Sequence, residues 1–176
     1  MAHGLINVLD AAERLRGDDR IRFLFVGAGA EREMLIETAR ARGLANIVFA
    51  PPQPKEAMPA VWSVVDVALV HLKDSPAFAE VIPSKIFEAM AMGLPILFAA
   101  PAGEATDLVN RHGAGLTVAA GVPDALADAV RRLADNVEER AAFAQASLAA
   151  APKHSRETQA REMLDVFTKA IGRVAT

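Results

Sequence analysis

The chain has 176 residues, 52% hydrophobic and 23% charged, with a formal net charge of -3 and no cysteine. That length suits one domain with a sizeable core and is too short to expect two. The composition excludes a disordered chain, the charge excludes a general attraction to nucleic acid, and the missing cysteines exclude disulfide and thiolate chemistry.

In chain order, Leu5, Val8, Leu9, Ala12 and Leu15 fall on one helical face. Ile21 to Val26 (IRFLFV) is a short apolar run ending at Gly27, the pattern of a strand buried on both faces of a parallel sheet. Glu31 to Arg42 reads as a helix closed by Gly43. Asn46 to Ala50 is a second strand, stopped by Pro51 and Pro52. Lys55 to Val64 is a short helix, and Asp66 to Leu72 a third strand. A helix starts at Pro83 and ends before Gly93, proline inside its start and glycine beyond its end. Pro95 to Ala99 is a fourth strand, followed by a helix near Glu104 to Arg111, and Ala114 to Val118 is a fifth. Helices near Asp124 to Ala134, Val137 to Ala149 and Arg156 to Ile171 complete the chain; the last carries Ala160, Met163, Leu164, Phe167 and Ile171 as an apolar stripe.

Strand and helix alternate with short connections, so the expected fold is α/β, a doubly wound, mostly parallel, Rossmann-like sheet in a single domain over residues 1–176. The chain opens on a helix where this architecture normally opens on a strand, which reads as a first strand lost from its N-terminal side. Four histidines, His3, His71, His112 and His154, are scattered without metal-ligand spacing, and no metal site is expected. No apolar run reaches membrane-spanning length and no signal-peptide layout opens the chain, which makes a cytoplasmic domain the default.

Ligands of such sheets bind beyond the carboxyl ends of the strands. Gly27-Ala28-Gly29 follows a strand there, but Arg32 stands where a dinucleotide fingerprint needs its third glycine. A tight turn remains, with ligand contact and a purely structural role equally open. The richest segment is Lys73 to Gly93 (KDSPAFAEVIPSKIFEAMAMG). Pro83 at a helix start leaves free backbone N–H groups beside Ser84 and Lys85, an anion-binding arrangement. Glu80 precedes that helix and Glu88 lies within it. On one helix the two would sit about 80° apart; with Glu80 in the loop they flank the anion site from two directions. That suits a diphosphate between two polyhydroxylated groups.

The segment from Glu80 to Glu88, followed by Ala89-Met90-Ala91-Met92-Gly93-Leu94-Pro95, resembles the signature of the family-four retaining glycosyltransferases of the GT-B fold. Gly4-Leu5, Phe25 to Glu31, Asn46 to Phe49, Gly113 to Leu116 and Pro123 to Ala127 agree with that family in order. The resemblance implies the C-terminal, donor-binding half of a GT-B enzyme of the bacterial surface-polysaccharide or lipopolysaccharide type. Val81 to Glu88 is similar to a subgroup using UDP-linked N-acetylamino sugars. It implies that Glu80 binds donor-sugar hydroxyls as the catalytic residue and Glu88 the ribose hydroxyls. Amides around Ile82, Ser84 and Lys85 would hold the diphosphate, Gln53 and Lys55 would lie nearest the base, and Gly27 and Gly29 would line the nucleotide side. Transfer in such enzymes is described by a front-face mechanism without a metal or cofactor, the nucleotide sugar being substrate.

Implied partners are a UDP-sugar or other nucleotide sugar and an N-terminal acceptor-binding domain of the same protein. The full-length enzyme would be peripheral at the cytoplasmic face of the inner membrane, and the isolated half inactive. His3 stands where the family places a basic residue, and neutral imidazole is a poor replacement. Half of a GT-B sugar-nucleotide 2-epimerase, or a non-catalytic Rossmann-like binding domain, is the other reading.

Overall fold

The structure, a computed structural model, describes residues 3–174. Its first half runs α1 Ile6–Arg14, β1 Phe23–Val26, α2 Arg32–Ala41, β2 Ile47–Ala50, α3 Met58–Trp62 and β3 Ala68–His71. The second half runs α4 Ser84–Ala91, β4 Ile96–Ala100, α5 Glu104–His112, β5 Gly115–Ala119, α6 Pro123–Asp135, α7 Val137–Ala150 and α8 Arg156–Val174. Every ladder is parallel, which makes the fold the expected α/β alternation.

The strands form because short, apolar runs can be covered on both faces. All five residues of β4 are buried, and the pleat divides them. Ile96, Phe98 and Ala100 meet Ile86 and Met90 of α4 and Leu108 and Val109 of α5. Leu97 and Ala99 point the other way, to Val8, Ala11 and Ala12 of α1 and Leu126 and Leu133 of α6. Leu9 of α1 joins Leu35 and Ala39 of α2 over Phe25, Ile47 and Phe49. So α1, α2 and α6 cover one face, and α4 and α5 the other.

The expected sheet is broken in its hydrogen bonding. β1 pairs with β2, and β3, β4 and β5 form a separate ladder in that order. Right-handed crossovers explain the arrangement. The step from β1 to β2 uses a helix on one face; the steps from β3 to β5 use helices on the opposite face. The two series therefore travel in opposite directions. β2 and β5 become outer edges, while β1 and β3 turn unpaired edges toward each other at the point where the winding reverses.

Local differences from the sequence reading are small and physical. Lys55–Ala57 is a 3-10 turn, and only Met58–Trp62 is α-helical, because Pro54 holds extended backbone just before it. Pro83 is also extended and caps α4 from outside, so the helix begins at Ser84. Gly93 closes the helix at φ +65°, where a side chain would be strained. In α8, Met163, Leu164, Phe167 and Ile171 are all exposed. That stripe is amphipathic without an intrachain partner among the described residues. Residues 1, 2, 175 and 176 of the expected domain lie outside those residues.

Candidate functional site

The loops leaving the carboxyl ends of the strands gather at one edge. After β3 the chain makes a 3-10 turn at Pro76–Phe78 and reaches Glu80, which is exposed. The position of this loop is dictated by Gly103, the residue just before α5. A Cβ on Gly103 would stand 2.0 Å from the Ala79 carbonyl oxygen and 2.8 Å from its carbon. Gly103 cannot retreat, because Thr106 Oγ1 donates to its carbonyl at 2.7 Å and accepts from its N–H at 2.9 Å. Bare backbone against backbone thus seats the residue before Glu80. Nothing local in the sequence around Gly103 marks this.

Glu80 leads through Ile82 and Pro83 into α4. The N–H groups of Ile82, Ser84 and Lys85 have no hydrogen-bond acceptor among the described residues. At the start of an α-helix such groups present partial positive charge to solvent. Ser84, Lys85 and Glu88 are exposed around them. Because the helix starts at Ser84, Glu88 lies one turn on and on the same side. Ser84 Oγ donates to Glu88 Oε1 at 3.1 Å, leaving the second carboxylate oxygen free to accept from a ligand. Two of the expected site residues are therefore in direct contact.

On the other sheet block, Gly27 follows β1 with φ +139°, a conformation open to glycine, and nothing lies within 4 Å of the place its Cβ would take. Arg32 donates from Nε to the Gly27 carbonyl at 3.2 Å. The residue that spoils the dinucleotide fingerprint instead braces this turn. Gly29 has open space around it. Gln53 donates to the Pro51 carbonyl of its own loop at 3.3 Å, and Lys55 opens the 3-10 turn. Both are exposed beyond β2, and no hydrogen bond joins either to α4 among the described residues. An open hollow of about 380 Å³ lies apart, lined by Ile36, Arg40, Leu44 and Phe49 between α2 and β2; it contains none of these residues.

His71 ends β3 and is buried. Its Nδ1–H donates to the His3 carbonyl at 2.6 Å, and the His3 Nδ1–H donates to the His71 carbonyl at 3.2 Å. Carbonyls only accept, so both rings carry their proton on Nδ1. This clasp ties the segment before α1 to the end of β3, and sequence spacing gave no sign of it. Burial pushes the His71 pKa below its usual value near 6.5, with the His3 bond opposing and the His3 charge assisting. The unfolded chain therefore takes up a proton first as pH falls. Stability tied to His71 is complete above the unfolded value and declines below it, by up to about 1.4 kcal/mol per pH unit, until the folded ring also protonates. Thermal unfolding from about pH 7.5 to about pH 5 should show a steeper loss for the parent than for His71→Gln, which keeps a donor for His3 but does not titrate. Parallel curves would remove this account.

Among the described residues, no three or more of His, Asp and Glu gather as a metal cluster, and no helix is long and apolar enough to cross a membrane. The chain matches the family described as glycosyl transferases group 1 over residues 2–149. It is 42% identical over 90 residues to a glycosyl transferase named WcaI, for colanic acid biosynthesis, of Escherichia coli strain K12, covering 51% of this chain and 22% of that one. It is 32% identical over 147 residues to a D-inositol 3-phosphate glycosyltransferase of Salinispora tropica, covering 82% of this chain and 29% of that one. Anabaena HepE, solved in complex with UDP, superposes with a TM-score of 0.80 at 21% identity, covering 95% of this chain and 45% of that one. The chain thus spans less than a third of the length of either curated relative.

Proposed function

The chain belongs to the glycosyl transferases group 1 family, and from that premise we propose that it is the donor-binding half of a retaining glycosyltransferase. The observation that carries this is the start of α4: free amides at Ile82, Ser84 and Lys85 beside a carboxylate, Glu88, held by Ser84. The amides and the Lys85 ammonium take the diphosphate. The open oxygen of Glu88 takes the ribose hydroxyls. Glu80, seated by the Gly103 contact, takes hydroxyls of the donor sugar and is the catalytic residue of this half. Gly27 and Gly29 line the nucleotide, and Gln53 and Lys55 lie toward the base.

The donor in this reading is a UDP-sugar of the N-acetylamino class, and the product a bacterial surface polysaccharide or lipopolysaccharide. Support comes from WcaI, named for colanic acid biosynthesis, and from Staphylococcus aureus TarM, solved with UDP and alpha-GlcNAc-glycerol. No metal and no organic cofactor is invoked. The departing diphosphate assists the acceptor hydroxyl on the same face of the sugar, and the protein supplies position and charge. An acceptor-binding domain of the same protein completes the enzyme, which works at the cytoplasmic face of the inner membrane. A strand preceding Gly4 fills the gap between the open edges of β1 and β3, a reading that rests on those two unpaired edges.

Calorimetric titration of this chain with UDP, GDP and ADP tests the proposal. Saturable binding of UDP is expected, ahead of the other two. Supplied with UDP-N-acetylglucosamine and lipid-linked or soluble acceptors, the chain alone should release no glycosylated product. Absence of saturable binding for every nucleoside diphosphate would sink the donor site. Acceptor-dependent transfer by this chain alone would sink the half-enzyme reading.

A further inference from the structure

His112 is the last residue of α5, and His154 ends the 3-10 turn Ala151–His154 that follows α7. They are 42 positions apart in sequence, yet their Nε2 atoms stand 2.9 Å from each other. The rings are nearly perpendicular, at 84°, with centroids 5.0 Å apart. Both side chains are half-buried, so each is held in place and still reached by solvent. The Phe87 ring lies 5.2 Å from that of His154 and backs it from α4.

We propose that His112 and His154 form a chelating site for a late first-row divalent cation, nickel or copper before zinc. Imidazole nitrogens sit 2.0–2.1 Å from such ions, so two nitrogens about 2.9 Å apart subtend roughly 90° at a shared ion. That is the angle between neighbouring ligands in square-planar and octahedral ions, and it is narrower than the tetrahedral angle of zinc. Water completes the coordination. The C-terminus of α5 adds negative potential at His112, while the charges of Arg111 and Lys153 oppose it.

The proton balance is simple. In the free pair one Nε2–H donates to the lone pair of the other ring. When the ion binds, that proton moves to Nδ1 through solvent, and both Nε2 lone pairs bind the metal with no net proton release from the neutral pair. The site is separate from the donor site and does not depend on the function proposed above.

The test uses the untagged chain with its amino terminus acetylated, so that His3 cannot chelate through a free amine. The chain is stripped of metal, labelled with 15N-histidine and titrated with NiSO4, CuCl2, ZnCl2 or MgCl2. One equivalent of nickel or copper should bind, and the Nε2 resonances of His112 and His154 should shift or broaden before those of His3 and His71. Magnesium, which prefers oxygen ligands, should leave them in place. His112→Gln and His154→Gln should each weaken calorimetric nickel binding by on the order of tenfold or more. Because the resonances are read in the parent, the test survives a variant that fails to fold. Unmoved Nε2 resonances at millimolar nickel, or undiminished affinity in the double variant, would overturn the proposal.

Discussion

Gly103→Ala is expected to lower the melting temperature and, if the proposed donor site holds, to abolish the gain in affinity that a UDP-sugar has over UDP. The new Cβ would fall 2.0 Å from the Ala79 oxygen, with the Ala79 carbon and Cα at 2.8 and 3.0 Å. All three are backbone atoms, so no side chain can rotate away. The φ of Gly103 is 169°, extended backbone that alanine adopts freely. The cost is therefore the collision alone, and it ranks with overpacking, about 1–3 kcal/mol. The Thr106 clasp holds Gly103, so the loop carrying Ala79 and Glu80 must move. Thermal unfolding reads the stability loss, and calorimetry with UDP and UDP-N-acetylglucosamine reads the loss of the sugar increment. Gly17→Ala, at a position with open space and outside the proposed donor site, serves as the control of equal added volume. Native discrimination in Gly103→Ala would show that Glu80 does not take its position from this contact.

Glu88→Gln should weaken UDP binding by about tenfold. Hydrogen bonds to a charged group are worth about 1.5–3 kcal/mol, against roughly 0.5–1.5 for neutral ones. Removing the charge while keeping the shape therefore costs on the order of 1–2 kcal/mol. Folding should change little, because Glu88 is exposed and its one side-chain partner among the described residues is the Ser84 hydroxyl, which Gln also accepts. The decisive measurement is a cycle of UDP and 2′-deoxy-UDP against parent and variant. Loss of the 2′-hydroxyl should matter in the parent and much less in Glu88→Gln. Additive losses would detach Glu88 from the ribose. Ser84→Ala separates the remaining possibility: if Ser84 only restrains Glu88, that variant should bind UDP no worse than the parent.

The strand and helix order was legible because the strands are covered on both faces and appear as continuous apolar runs such as ILFAA, bounded by glycine and proline. The helix start at α4, with its unpaired amides, was legible for a related reason. A proline at a helix start and the spacing of Glu80 and Glu88 around it are local features, and local features survive in a linear string; the Ser84–Glu88 bond was not read from them. What stayed hidden depends on residues far apart. The split between β1 and β3 follows from which face each crossover helix takes. Gly103 reads as an ordinary loop glycine until Ala79 is placed against it. His112 and His154 meet only because α5 and the turn after α7 pack beside α4. The helix α8 and its apolar stripe were legible too, but periodicity does not say whether this chain supplies the partner, and the stripe is exposed.

The two blocks of the sheet differ in size, and that difference reaches the ligand. A two-stranded ladder is marginal on its own; β1–β2 packs on the small cluster around Leu9 and Leu35, and reaches the larger one only through Phe23, Phe25 and Ile47. The block containing β4 is packed by helices on both faces. Amides of β4 should therefore exchange with solvent only on global unfolding, while those of β1 and β2 exchange through smaller, local openings. In the proposed pose the phosphates meet the slow-exchanging block and the base meets the fast-exchanging one. Part of the affinity for a nucleotide is then consumed in quieting the block beneath the base, and whatever quiets it beforehand raises affinity without touching the nucleotide.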